Sequence, residues 1–341
     1  MQTTSHLSQN ATGRNHVFIV DGTFSSLEPG CETNAGLTYK LLMREGPLAR
    51  QLVAYHRGVY GRGLEGWVRA ATGEGVNDAI LQGYATLASR WRPGDRIYLF
   101  GYSRGAYAVR SLAGMIDRIG LLRRRHAIER RVRLAFEHYM GARSDSAARS
   151  FSDRFCRRDV RIEAVCVWDT VAALGLPYPI LSRIHPMATE FHDHRLGRHI
   201  RNGFHALALD ETRTAFAPVM WERAPGWRGR LEQVWFAGAH ADVGGQVESR
   251  PAARPLANIP LVWMLERAEA CGLLLPEGWR EVFPTDPAAP MVGTNAGIGK
   301  LFLLRRPRRF GGANGEELHE SVARRIEMVP GYRPAAEGLA P

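Results

Sequence analysis

The sequence predicts an α/β fold with a mostly parallel central sheet and helices on both faces. Short apolar, β-branched runs alternate along it with stretches of helical spacing, the pattern of strands joined by covering helices. Several of those runs end on small or acidic residues that read as turns at the strand ends. The 341 residues, 45% of them hydrophobic and 23% charged, suffice for one large domain with a substantial buried core.

The elements follow in order. "HVFIV" at 16–20 reads as a first strand, ended by Asp21-Gly22. "TNAGLTYKLLMREG" reads as a helix capped by Thr33 or Asn34. Val76, Ile80, Leu81, Tyr84, Leu87 and Ala88 recur at helical spacing, "RPGD" stops that helix, and the strand "RIYLF" begins. "IYLFGYSRGAYAVRSLAG" at 97–114 then runs from strand through a small, polar turn into a helix. Residues 123–159 read as a basic, weakly structured connector, and "RIEAVCVW" as a strand ending at Asp169. The proline- and histidine-rich segment 177–230 reads as helices and loops laid over the sheet. "EQVWFAG" at 232–238 is the last clear core strand, covered by the amphipathic "NIPLVWMLERAEACGL" at 258–273. Periodicity fades beyond about residue 277, which predicts loop or tail. The resulting division is a disordered tail at 1–15, a catalytic domain at 16–275 and a partly irregular C-terminal extension at 276–341. No internal repeat or composition shift marks a second domain.

No apolar run reaches the roughly 18 residues of a membrane-spanning helix. The polar start lacks the apolar core of a secretory signal, so the expected compartment is the cytoplasm unless a signal-free machine exports the protein. Cys31, Cys156, Cys166 and Cys271 form no CxxC pair, so neither a zinc site nor a disulfide framework is indicated. The 45 basic residues, almost all arginine, exceed the 34 acidic ones and give a net charge of +11, which favours anionic partners such as a phospholipid surface. The densest basic runs, 121–133 and 303–310, lack the interleaved aromatics of a nucleic-acid platform and read as solvated surface; no nucleic-acid partner is expected.

Gly101-Tyr102-Ser103-Arg104-Gly105 matches G-x-S-x-G and sits between strand and helix, where a nucleophile elbow requires it. At so sharp a turn, side chains at Gly101 and Gly105 would collide with their neighbours, which explains the glycines. A serine hydroxyl needs a base to take its proton and an acid to orient that base, in the chain order Ser, acid, His. Asp169 ends the next clear strand and His240 follows the last one on a glycine-rich loop, flanked by small residues. Asp242 rivals Asp169 as the acid or fixes the loop, and Asp169 also reads as a cap for a helix starting at Thr170. Oxyanion donors are available at the Arg104 amide and at the "VDGTF" turn through Gly22 or Thr23, with Asp21 holding the turn in shape.

Two other chemistries fit less well. "DGT" suggests an aspartate phosphotransferase, but the D-x-D pattern would place the nucleophile at Ile19. "FHDHRLGRH" at 191–199 offers His192 and His194 with Asp242 or Asp21, without the i, i+4 spacing of helical zinc enzymes. No metal or cofactor is expected.

Beyond single motifs, the chain resembles the catalytic-domain family of type VI secretion phospholipase effectors. The resemblance is carried, in order, by "FIVDGT", "TNAGLTYKLL", "YHRGVYGRGLEGW", "RPGDRIYLFGYSRGAYAVRSLAGMIDRIGLL", "VWDTVAALGLP", "FHALALDETRTAFAPVMW", "QVWFAGAHADVGG" and "LANIPLVWMLERAEACGL". These blocks span most of residues 16–273. The resemblance implies an α/β-hydrolase core, a nucleophile at Ser103, an acid at Asp169 and a base at His240. For some members it also implies hydrolysis of phospholipid acyl esters and delivery into a rival cell by type VI secretion. This chain departs from the pattern at Gln246-Val247, where a third glycine and an aromatic are usual, and at Phe24-Ser25-Ser26 after the first "DGT". The expected function is a serine esterase or lipase acting on acyl esters. The alternative is a catalytically inactive protein of the same fold that holds an acidic partner on its basic surface.

Overall fold

The computed structural model describes residues 13–23, 25–44, 50–58, 74–171, 195–295, 303–312 and 315–339. Its centre is a seven-stranded sheet of β1 (Asn15–Val20), β2 (Gln51–His56), β3 (Arg96–Tyr102), β4 (Ile162–Trp168), β5 (Ile200–Ala208), β6 (Arg230–Phe236) and β7 (Glu316–Leu318). The spatial order is β2-β1-β3-β4-β5-β6-β7, and every pairing is parallel. The fold is α/β, as the alternating pattern predicts.

Side chains alternate across the sheet with the period of two that strand geometry dictates. Phe18, Val20, Ile97, Leu99, Val165 and Val167 face one layer. That layer holds α2 (Glu74–Arg90) and α3 (Arg104–Ile119), backed by α4 (Glu129–Tyr139) and α5 (Asp145–Phe155). Val17, Ile19, Phe100, Tyr102, Trp168 and Phe236 face the other, where α1 (Asn34–Met43) and α7 (Arg254–Ala270) pack. Thr33 caps α1, its hydroxyl accepting the Gly36 amide at 3.0 Å.

Three segments differ from the sequence expectation. The connector at 123–159 contains α4 and α5. Most of its arginines are exposed while Val132, Ala135, Tyr139, Ala148 and Phe151 are buried, a stripe short enough to be hidden by the basic residues around it. The segment 177–230 contains β5, an interior strand between β4 and β6. "IRNGFHALA" carries an arginine, an asparagine, a glycine and a histidine where a central strand usually runs apolar, so its period was masked. Beyond 277, β7 extends the sheet edge and α8 (Glu320–Met328) packs Val322 against it, with Trp235 and Leu207 in the same cluster.

Strand register sets the site. Val20 pairs with Gly101, Tyr102 with Trp168, Trp168 with Ala206, and Ala208 with Phe236, so the carboxyl ends of five neighbouring strands lie level. The strand order reverses between β1 and β3, and in open parallel sheets the crevice outside the strand ends at such a reversal is where ligands bind.

Candidate active site

Ser103 stands at that reversal, between the last residue of β3 and the first of α3. Its backbone angles are φ 59° and ψ −122°, a conformation disfavoured for any residue with a Cβ. Packing holds it there. A Cβ on Gly101 would come within 2.6 Å of the Ala106 backbone, and one on Gly105 within 2.3 Å of the Val20 carbonyl oxygen. Only glycine at both positions lets α3 approach the sheet this closely, as the motif predicts.

His240 begins α6 (His240–Gly244), on the loop after β6. Its Nε2 lies 2.9 Å from Ser103 Oγ and its Nδ1 lies 2.5 Å from Asp169 Oδ2. All three side chains are buried; Ser103 is 6% exposed, His240 4% and Asp169 0%. Burial pulls the His240 imidazole below its ordinary range, against the opposing pull of Asp169. Burial would raise the Asp169 carboxyl, but the Arg308 cation and His240 outweigh it and hold the acid far below the usual carboxylate range. An ionised Asp169 can only accept, so Nδ1–H donates to it and the Nε2 lone pair faces the serine hydroxyl. Tyr102 and Phe216 pack on the imidazole, with ring centroids 4.9 Å and 4.8 Å away.

Asp242, the rival acid, points away from this contact. It accepts the amides of Ala239 at 2.9 Å, Val292 at 2.6 Å and Gly293 at 3.1 Å, and so fixes the His240 loop. Nor does Asp169 cap a helix, because residues 170 and 171 are not helical; its Oδ1 accepts the Ala208 amide at 3.0 Å instead. Asp21 is buried and accepts from the Gly22 amide at 2.7 Å, Thr33 Oγ1 at 2.6 Å and Tyr55 Oη at 2.7 Å. The Gly22 amide is therefore engaged within its own turn. The Thr23 hydroxyl is buried without a hydrogen-bond partner among the described residues. Arg104 opens α3, so its amide points out of the helix N-terminus, and burial lowers its guanidinium to about 10.

Sequence reasoning missed four residues around the histidine. Glu211, fully buried, accepts the His240 amide at 3.1 Å and is gripped by Arg213 at 2.8 Å and 2.6 Å. The Arg213 guanidinium lies 4.0 Å above the Phe216 ring, which itself packs on His240. Arg308 corrects the reading of 303–310 as solvated surface. Residues 303–307 and Arg309 are exposed, but Arg308 is 6% exposed and donates from Nη1 to Asp169 Oδ1 at 2.6 Å and from Nη2 to Oδ2 at 2.9 Å. A buried carboxylate needs a counter-charge, and this arginine supplies it. Glu211 and Arg213 lie within the quoted "LALDETRTAF" block, whereas no local signal distinguishes Arg308 from the other arginines of its run.

Among the described residues no group of three or more His, Cys, Asp or Glu side chains could hold a metal ion. His192 and His194 lie outside the described residues, as does most of the "YHRGVYGRGLEGW" block, and His199 bonds Asp117 at 2.7 Å. No described helix is long and apolar enough to cross a membrane.

A parallel sheet with a serine elbow at its strand-order reversal defines an α/β protein of hydrolase-like layout. The family model described as "T6SS, Phospholipase effector Tle1-like, catalytic domain" matches residues 14–267, and the chain belongs to this family. An uncharacterised protein of Saccharomyces cerevisiae is 28% identical over 244 residues, covering 64% of this chain and 34% of that protein, so the chain spans about a third of its relative. The crystal structure of an uncharacterised protein from Pseudomonas aeruginosa shares the fold at a TM-score of 0.51 and 14% identity, covering 86% of this chain and 50% of that one. The structure of the Tle1 effector bound to the VgrG spike from the type 6 secretion system is similar at a TM-score of 0.38 and 16% identity, over 72% of this chain and 55% of that one.

Proposed function

We propose that the protein is a serine hydrolase of carboxylic esters, acting on phospholipid acyl chains. The observation that carries this reading is the hydrogen-bonded line from Ser103 Oγ through His240 to Asp169, at 2.9 Å and 2.5 Å. Ser103 Oγ attacks the acyl carbonyl carbon as its proton passes to His240 Nε2. The tetrahedral oxyanion is met by amides of Arg104 and Thr23, the Gly22 amide being committed to Asp21. Collapse expels the alcohol, which takes the proton from Nε2 and leaves an acyl ester on Ser103. Water, deprotonated by the same nitrogen, then releases the fatty acid and restores the serine. Asp169 stays ionised throughout and stabilises the imidazolium that forms in each half.

Family membership supports the lipid substrate class and, with it, delivery by a type VI apparatus. The intact serine-to-histidine contact favours hydrolysis over a purely binding role. In the test, purified protein is incubated with a fluorophosphonate probe and with p-nitrophenyl butyrate. We expect labelling and turnover, both reduced to background in Ser103→Ala. A folded protein that takes up no probe and turns over no ester would overturn the reading.

A further inference from the structure

We propose that Arg308 is a positioning residue for the reaction, fixing the Asp169 carboxylate so that its Oδ2 faces His240 Nδ1. This deepens the serine-hydrolase reading and rests on it. The grip is bidentate, one terminal nitrogen to each carboxylate oxygen, at 2.6 Å and 2.9 Å. A fork of this kind sets the plane of the acid as well as its place. The same nitrogens bond the carbonyls of Ala208 at 2.8 Å and Phe216 at 2.5 Å, so the guanidinium is itself held by the end of β5 and by the loop packed on His240.

Asp169 needs such a hold. Its φ of 43° lies in the left-handed region, where a residue with a Cβ is strained, and its side chain is fully buried. Burial works against the ionised acid, and the Arg308 cation is the largest influence opposing it, with His240 beside it. The cation has a second consequence. It offsets part of the carboxylate's field at His240, making the imidazolium less stable and leaving the base free at lower pH. The other charged groups facing His240 and Asp169 are Glu211, which favours the imidazolium, and Arg213, which opposes it; neutral His205 lies behind Asp169.

Arg308 also lies 41 residues beyond position 267, the end of the family match. Its segment is pinned to the body by the Arg306 amide on the Thr212 carbonyl at 2.6 Å. The Glu337 amide donates to the Arg308 carbonyl at 2.8 Å. The C-terminal segment thereby completes a site whose other parts come from the matched region.

The experiment compares Arg308→Met and Arg308→Lys with the unmutated protein, using p-nitrophenyl butyrate across pH and a 15N imidazole titration of His240. We expect Arg308→Met to lower kcat about 10- to 100-fold with KM within about twofold. Its acid limb, in rate and in the His240 titration, should move to higher pH, and Arg308→Lys should recover part of both. Unchanged kcat and an unchanged limb in folded Arg308→Met would overturn the proposal. So would a loss of rate with the limb unmoved and no recovery by lysine, since that is what a merely structural arginine produces. If the methionine variant does not fold, Arg308→Gln is read against the same outcomes. The titration needs no turnover, so a protein inert to the fluorophosphonate probe would sink the hydrolase reading while an unmoved His240 midpoint would separately sink the role of Arg308.

Discussion

Ser103 and Asp169 hold the two positive φ angles among the described non-glycine residues, 59° and 43°. Each such angle costs about 1–3 kcal/mol and survives only where neighbours over-determine it. For Ser103 the neighbours are the backbones pressed against Gly101 and Gly105; for Asp169 they are His240, Arg308 and the Ala208 amide. A methyl group at position 105 would meet two carbonyl oxygens, those of Val20 and Asp21, at 2.3 Å and 2.4 Å. Both are backbone atoms of a central strand and its turn, so neither can swing aside. Gly105→Ala should therefore destabilise the fold by about 1–3 kcal/mol, the cost of overpacking a dense core, and displace Ser103 from His240. Denaturant unfolding reads the first effect and fluorophosphonate labelling the second. A variant as stable and as readily labelled as the unmutated protein would refute the packing account of this glycine.

Among the elements, β5 carries the second pH-sensitive feature. His205 on this strand is fully buried, and its Nε2 accepts the Thr170 amide at 3.1 Å, which it can do only when that nitrogen is unprotonated. Burial, helped by the nearby Arg110 and Arg308 cations and opposed by Asp169, lowers its pKa to about 3. In the unfolded chain an ordinary histidine takes up its proton near pH 6.5, so between those values the unfolded state binds more protons. The stabilising contribution is thus complete above pH 6.5 and is lost as pH falls toward 3, by at most about 1.4 kcal/mol per pH unit. His205→Gln keeps an acceptor for Thr170 without a titrating proton. Its unfolding free energy, followed by urea titration from pH 7 to 4, should fall less steeply than that of the unmutated protein; parallel curves would contradict this. β5 is also where the sequence was hardest to read. A run such as "HVFIV" declares a strand because Val17 to Val20 are all apolar, whereas His205, Asn202 and Gly203 belong to β5 only because neighbouring strands and loops satisfy or exclude them. The serine elbow and the order serine, acid, histidine were local signals and legible. The partners of Glu211 and Arg308 arise from contacts across the fold, 29 residues from Glu211 to the His240 amide and 139 from Arg308 to Asp169, and no local spacing announces them.

At the scale of the whole molecule, charge and an exposed apolar ridge meet beside the site. The net charge is +11, and exposed Arg305, Arg306 and Arg309 accompany Leu303 and Leu304, which are 84% and 57% exposed. Two leucines this exposed are unusual beside so much positive charge, and they are close to the chemistry, since the Leu304 carbonyl accepts the Thr214 amide at 3.1 Å and Phe216, two residues on, packs on His240. An anionic phospholipid surface would attract the arginines and take up the leucines, bringing an acyl ester to the mouth of the site. Binding to vesicles containing phosphatidylglycerol should accordingly weaken as ionic strength rises and be unchanged in Ser103→Ala, because attraction to the surface precedes chemistry. Replacing the ridge in the double variant Leu303→Asp, Leu304→Asp should lower vesicle hydrolysis about tenfold or more, the two leucines each contributing about 1.5 kcal/mol or more on burial, while p-nitrophenyl butyrate turnover stays within about twofold. Equal loss on the vesicle and on the soluble ester would place the leucines in the fold of the site, and equal retention on both would remove them from any lipid contact.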